Sequence, residues 1–398
     1  MKIFDRRYEM MTRSELEQFQ LERLQALVVR LKRNVRRYRE QIAEERIESL
    51  ADLERLPLTA PEDLARSFPY GMFAMPLREV IRLHSMVGPG GKPLVTGHTR
   101  NDLVQWGRLV ARQLVACGVT ANDVIQVCLG GGIYRGASGY MLGAEVIEAS
   151  VIAEDPVHLD YQLAMLQNYR PTVLITTPTN AEELIRTIEE HRVDPQSLQL
   201  RTVLLSRPVG TEVRTKLEAG LFATVQCNFG MGDILDPGFC LECDQGRFHV
   251  NEDQFLVEEQ DGQLVVTTLC REAMPLLRYQ TRIACRVKKD KCPCGRTGAI
   301  LEPGERLDGR LRVNEMPLYE QQIADVLAQT QAAGRPFHIQ VRERHVVVFI
   351  PMTADLFADT MWPIENLRHR IESEFFDRLG IVAEVRFTEP DTQPPPTS

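Results

Sequence analysis

The apolar positions of this chain change period several times, and each change marks a different kind of structure. Over residues 14–31, Leu16, Phe19, Leu24, Leu27, Val28 and Leu31 recur at helical spacing with polar residues between them, which predicts an amphipathic helix. The pattern runs on into a basic series, Arg30, Lys32, Arg33, Arg36, Arg37 and Arg39, which reads either as a solvated helix face or as a contact for an anionic partner. Further along, short β-branched runs alternate with helical patterns. Residues 124–127, 151–152, 173–176 and 202–205 predict strands, and residues 101–117 and 181–191 predict helices. Strands separated by helices imply an α/β fold with a mainly parallel sheet covered on both faces.

Beyond Asp308 the rhythm changes. Strands are expected at 311–313, 338–341, 346–350 and 382–387, and helices at 319–330 and 362–376. This is the size of a small α+β domain with helices on one face of a sheet. The expected organisation is therefore a large layered domain over 1–307, a small mobile α+β domain over 308–389, and a disordered proline-rich tail over 390–398.

Composition narrows the function. The 398 residues carry a formal net charge of -8, which argues against binding the backbone of DNA or RNA. No apolar run approaches the ~20 residues that span a bilayer, and the first residues lack a signal-peptide core, so the expected location is cytoplasmic, without membrane attachment. Nine cysteines, an odd number spread through a long chain, fit buried or metal-bound thiols in a reducing compartment better than a disulfide framework.

Two constellations carry chemistry. The first, 84–93, is glycine-rich and ends in Gly88, Gly90, Gly91 and Lys92 just before the helix expected from residue 101. Such a turn can aim backbone N–H groups at phosphate oxygens while the lysine adds a charge. His84 and His98 flank it and either touch a ligand or pack. The second pairs Cys243 and His249 with Cys292 and Cys294, the residue types of a Cys3His zinc site; Cys240 stands as an alternative ligand for any of the four. A closed site of this kind is structural. Cys117, Cys128 and Cys227 lie in apolar contexts and read as core.

Several motifs in one order resemble phenylacetate-CoA ligases of the adenylate-forming acyl-CoA synthetase superfamily. They are Leu56-Pro57-Leu58-Thr59, Phe68-Pro69-Tyr70-Gly71-Met72-Phe73-Ala74, and Gly91-Lys92-Pro93 with the following Gly97-His98-Thr99. They continue as Asn228-Phe229-Gly230-Met231-Gly232-Asp233, then Asn251-Glu252-Asp253, and Arg271 through Arg282. The resemblance implies the adenylate-forming fold, with a large N-terminal and a small C-terminal domain. It also implies ATP with Mg²⁺, CoA and a small carboxylic acid as ligands. In that family a carboxylate attacks the α-phosphate of ATP and a CoA thiolate then displaces AMP. Transferred by motif, Gly88, Gly90, Gly91, Lys92, Asp233, Arg306 and Asp308 would face the nucleotide, with Lys92, Asp233 and Arg306 as catalytic candidates. Tyr134, Phe229 and Gly230 would shape the acyl pocket. Some relatives carry a structural zinc at stretches matching Cys292 to Thr297, and related ligases are often dimeric, which leaves a homodimer or a partner protein open.

The chain departs from the family pattern where adenylation is demanding. The family loop Ser-Ser-Gly-Thr-Thr-Gly-Lys-Pro is here Met86-Val87-Gly88-Pro89-Gly90-Gly91-Lys92-Pro93, so its hydroxyls are gone and Pro89 lacks an N–H. Gly232 replaces a phosphate-facing threonine. Ile283 stands where an aspartate clasps the ribose, the hinge glycine is missing from Arg312-Val313-Asn314, and no lysine follows Lys291. A phosphoryl-oxygen site typically loses a few kcal/mol of barrier lowering per missing donor. The expectation is a non-adenylating homologue that binds a small molecule, nucleotide or partner. The alternative is an active AMP-forming aryl or acyl carboxylate-CoA ligase.

Overall fold

The computed structural model describes residues 2–43, 46–88, 91–129, 135–152, 158–313, 316–342, 345–352 and 362–389. Tyr134, Gly90, Asn314 and the expected disordered tail 390–398 lie outside the described residues. Two compact units are present: Met1–Met86 with Leu94–Glu305, and Val87–Pro93 with Arg306–Ser398.

In the larger unit the β-branched runs become a parallel sheet. An antiparallel hairpin precedes it, β1 (Arg82–Val87) and β2 (Pro93–His98), whose tip belongs to the smaller unit. The sheet follows as β3 (Val124–Cys128), β4 (Ser150–Ile152), β5 (Val173–Thr176), β6 (Thr202–Leu205) and β7 (Thr224–Cys227), in the spatial order β4-β3-β5-β6-β7. Every residue of β5 and β6 is buried, as expected when helices cover both faces. The helices Arg100–Ala116 and Pro178–Glu190 match the apolar spacing, and each starts on a threonine whose hydroxyl accepts an N–H of the first turn.

A second sheet holds six strands: β8 (Cys240–Glu242), β9 (Phe248–Val250), β10 (Phe255–Gln260), β11 (Gln263–Thr268), β12 (Tyr279–Lys288) and β13 (Ile300–Arg306), ordered β10-β11-β12-β13-β9-β8. The N-terminal helix, Arg13–Asn34, opens with a Thr12–Glu15 capping box and buries Leu24, Leu27, Val28 and Leu31 in the main core. Each such side chain contributes roughly 1.5–3 kcal/mol by leaving water. The helix does not continue through the basic series. It stops at Val35, which is extended, and a separate helix Arg36–Gln41 follows. Arg37 pairs with buried Asp63 at 2.5 Å, and Arg39 donates to the carbonyl oxygens of Lys32 and Arg33, so part of the basic series is used within the fold.

The smaller unit contains β14 (Leu311–Val313) paired with β15 (Met316–Leu318), and a sheet of β16 (His338–Val341), β17 (His345–Pro351) and β18 (Val382–Thr388). β17 runs antiparallel to β16 and parallel to β18. The helices Glu320–Leu327 and Trp362–Leu379 complete it, the first shorter than its apolar pattern suggested. Val346, Val348, Ile350, Ile371 and Phe375 form its core. Among the described residues no helix is long and apolar enough to cross a membrane.

Candidate metal centre and nucleotide-site remnants

The four residues Cys243, His249, Cys292 and Cys294 come together with all their ligand atoms within 4.8 Å of one another, and all four are buried. Two tight turns present the thiols. After β8, the Gly246 N–H donates to the Cys243 carbonyl oxygen at 2.9 Å. In the other turn, the Gly295 N–H donates to the Cys292 carbonyl oxygen at 3.0 Å, with Gly295 at φ +84°, a conformation that favours glycine. His249 enters from β9, opposite Ile300 of β13. Cys240 packs in the main core, apart from this group.

The spacing suits a tetrahedral ion. Sulfurs held at ~2.3 Å from zinc lie about 3.8 Å apart, and Cys243 Sγ is 3.9 Å from Cys292 Sγ. That separation is far too long for a disulfide bond. Cys294 Sγ lies 3.4 Å from His249 Nε2, while His249 Nδ1 is 2.9 Å from the Gly298 carbonyl oxygen. The Gly298 carbonyl oxygen accepts a hydrogen bond from Nδ1–H, so the proton stays on Nδ1 and the Nε2 lone pair is left for the sulfur side, the tautomer a metal requires. Burial holds the His249 pKa below its ordinary value, against the Gly298 hydrogen bond, so the ring is neutral near pH 7. Burial pushes the Cys243 thiol up to about 12, with Cys294 and Cys292 adding to the rise, and raises Cys294 as well. A divalent cation would offset this cost of ionising buried sulfur.

Around this group the chain builds a second layer that the residue pattern did not disclose. Arg296, two residues after Cys294, donates through Nε to Glu9 Oε2 at 2.8 Å, and both side chains are almost wholly buried, 4% and 2% exposed. The Arg296 N–H points at Cys294 Sγ at 3.5 Å. Thr297 Oγ1 donates to the Met11 carbonyl oxygen, and Arg13 makes two bonds to Glu252, whose Oε2 also accepts from the Ala299 N–H. The cysteine loop thereby anchors the first residues of the chain. Glu9 and Arg296 are 287 residues apart in sequence, and no periodicity links them.

The glycine loop has a different character. At the hairpin tip the Gly88 N–H donates to the Lys92 carbonyl oxygen at 2.7 Å, and the Gly91 N–H to the Gly88 carbonyl oxygen at 3.1 Å. These two donors are turned inward rather than offered to an anion. Gly91 has φ +74°, and a Cβ there would lie 2.4 Å from Gln322 Cγ, so the backbone closely approaches the helix Glu320–Leu327 of the same unit. Lys92 is exposed.

The other nucleotide-site candidates have partners of their own. Asp233 accepts a very short hydrogen bond from the hydroxyl of fully buried Tyr279. Ile283 is a buried core residue of β12. Arg306 and Asp308 form a bidentate pair, 2.9 and 2.6 Å, with each other. Burial works to raise the Asp308 pKa, but the Arg306 hydrogen bonds and charge outweigh it and hold the carboxyl below its ordinary range. Of the acyl-pocket candidates, Phe229 packs against Phe239 and Phe248, with centroids 6.2 and 6.1 Å away, and Gly230 abuts Asp236. His98 stacks on Trp106 at 5.0 Å and 12°, and His84 meets both rings edge-on, a packing arrangement. Cys117, Cys128 and Cys227 are buried, and burial pushes Cys117 up to about 12 and Cys227 up to about 11.

No protein-family model matches the chain. It is 31% identical to the phenylacetate-coenzyme A ligase of Thermus thermophilus over 97% of this chain and 95% of the relative. It is also 31% identical to the enzyme of that name from Pseudomonas putida, over 93% and 89%. Among solved structures, 2-hydroxyisobutyryl-CoA ligase in complex with 2-HIB-AMP and CoA superposes with a TM-score of 0.90 at 21% identity, covering 100% of this chain and 91% of the other. The amide bond synthetase McbA from Marinactinospora thermotolerans gives 0.56 at 14% identity over 78% and 66%. These two likenesses show the adenylate-forming fold. With that fold and two relatives at this identity along nearly the whole length, the chain belongs to the phenylacetate-coenzyme A ligase family.

Proposed function

We propose that this family member has lost acid adenylation and works as a binding protein on the ligase fold, taking a small molecule or a protein partner, with zinc at the Cys3His centre. The observation that carries this reading is the hairpin tip, where Gly88 and Gly91 spend their N–H groups inside the loop and no hydroxyl remains at the family positions. Adenylation concentrates charge on the α-phosphate and needs donors already aimed at its oxygens. A loop that must break its own hydrogen bonds before binding phosphate starts at a disadvantage. Ile283 adds to it, since a buried hydrocarbon side chain cannot accept from ribose hydroxyls.

Asp233, Lys92 and Arg306 favour the second reading, an active AMP-forming aryl or acyl carboxylate-CoA ligase. In that reading Lys92 would meet phosphate, Asp233 Mg²⁺ and Arg306 with Asp308 the nucleotide, and Phe229 and Gly230 would shape the acyl pocket. ATP with Mg²⁺ and CoA would supply the acyl-adenylate and thioester chemistry. Calorimetry with Mg-ATP, paired with pyrophosphate exchange across a panel of aryl acids, separates the two. The binding-protein reading expects no saturable heat at millimolar nucleotide and no acid-dependent exchange. Saturable binding together with exchange would overturn it in favour of the ligase.

A further inference from the structure

The larger unit holds a half-open cavity of about 340 Å³ that is lined neither by the glycine loop nor by the cysteine centre. The N-terminal helix Arg13–Asn34 and the helix Arg100–Ala116 form two walls, and residues around Leu269 to Glu272 form a third. None of the nucleotide-site candidates lines it. Four arginines do: Arg23, Arg30, Arg108 and Arg112.

Their charges are unevenly answered. Arg112 is held by Asp253 at 2.7 Å, and Asp5 stands 3.6 and 3.7 Å from Arg108 and Arg112. Glu272, the carboxylate in the lining, accepts from Thr99 Oγ1 at 2.7 Å and Asn101 Nδ2 at 2.8 Å. Among the described residues no carboxylate forms an ion pair with Arg23 or Arg30. Arg23 lies over the Phe19 ring at 5.0 Å, and Arg30 donates through Nη2 to the Arg271 carbonyl oxygen at 2.5 Å. Two guanidinium N–H groups of the lining, Arg30 Nε and Arg112 Nε, are buried and lack an acceptor. Buried donors are normally satisfied, so these two N–H groups are places where an acceptor would be stabilised. Burial depresses the Arg30 pKa, with Asp102 and Glu272 opposing, and an anion in the cavity would relieve that cost.

We propose that this arginine-lined cavity is a binding site for a small, multiply charged oxyanion, a phosphate ester or a polycarboxylate. Guanidinium forks match the planar or tetrahedral oxygens of such groups, while the cavity is too small for a macromolecule. Cys270 is also in the lining and only partly buried, so slow labelling of its thiol at raised pH reports on occupation of the pocket.

Inorganic pyrophosphate and citrate, standing for the two sources, are titrated separately into the full chain at low ionic strength, while maleimide labelling of Cys270 is followed by peptide mass spectrometry. One of the two should bind saturably and slow the labelling. Arg30→Gln and Arg23→Gln should each weaken binding about tenfold, the scale of one charge-assisted hydrogen bond. Among the described residues the Arg23 guanidinium stands over the Phe19 ring and makes no bond to the backbone, so its variant remains informative if Arg30→Gln folds poorly. Lys92→Ala should leave this binding unchanged. The proposal is overturned if neither anion saturates, if Cys270 labelling is indifferent to the anion, or if binding survives both arginine changes and disappears in Lys92→Ala.

Discussion

The cysteine centre and the glycine hairpin are both short motifs with a recognisable pattern, yet they stand in opposite relations to the fold. Cys243, Cys292 and Cys294 form a small core of their own with Ile300, and the layer of Glu9, Arg296 and Glu252 ties the chain's first residues to them. All four donor side chains stand together, and the Gly298 carbonyl oxygen keeps the imidazole proton on Nδ1. The hairpin tip ends in exposed Lys92 and holds the Gly88 and Gly91 N–H groups in bonds within the loop. A buried donor set contributes to folding, so losing one member is felt by the whole unit. Hydroxyls on a surface loop contribute to a reaction, and exchanging them for Met86, Val87 and glycine costs the fold little.

Metal removal should give the largest effect. Stripping with a chelator is expected to lower the melting temperature by more than about 10 °C, because structural zinc sites carry on the order of 10 kcal/mol of apparent binding free energy. Elemental analysis of fresh protein should find one zinc per chain, absent in Cys292→Ser. Binding should strengthen as pH rises and release protons, since the metal-free Cys243 thiol is pushed up to about 12. Substoichiometric metal, with Cys292→Ser as stable as the parent, would remove one side of the comparison.

A smaller loss is expected from Arg296→Met, which strands buried Glu9 without its partner. Breaking a buried pair on one side costs about 3–5 kcal/mol. Urea denaturation reads the loss, and hydrogen exchange should rise over residues 2–11. Exchange confined to the cysteine loop would mean that Arg296 does not hold the N-terminal segment. The smallest effect belongs to Lys92→Ala, an exposed position where a change within about 0.5 kcal/mol is expected. A larger drop would show that the hairpin tip supports the fold after all.

Much of the architecture was legible from periodicity. β3 to β6 of the parallel sheet, the helices around residues 101–117 and 181–191, and the α+β pattern after Asp308 fall where apolar spacing put them, because each element buries its own stripe or face, whereas β7 was not among the expected strands. The break at Val35 was not legible, since the basic residues beyond it keep a helix-compatible pattern and only Asp63 and the nearby carbonyl oxygens fix the turn. At the site, the four residues that cluster could be picked from residue types and local turns. The Glu9–Arg296 pair could not, because it joins the two ends of the larger unit. Phe229 and the two histidines were ambiguous in sequence, and the structure adds the rings that stand beside each of them.

The sequence by itself determined the family, the fold class and the absence of the loop hydroxyls, the ribose-clasping carboxylate and any lysine after Lys291, because these rest on which side chains exist and in what order. Tertiary structure alone decided which of the surviving groups are still available. Hydrogen bonds within the hairpin occupy the Gly88 and Gly91 donors, Tyr279 engages Asp233, and two pairs of arginines from two helices distant in sequence converge on one cavity. Availability depends on what stands within a few ångströms of an atom, and for contacts between distant segments that is known only once the chain has folded.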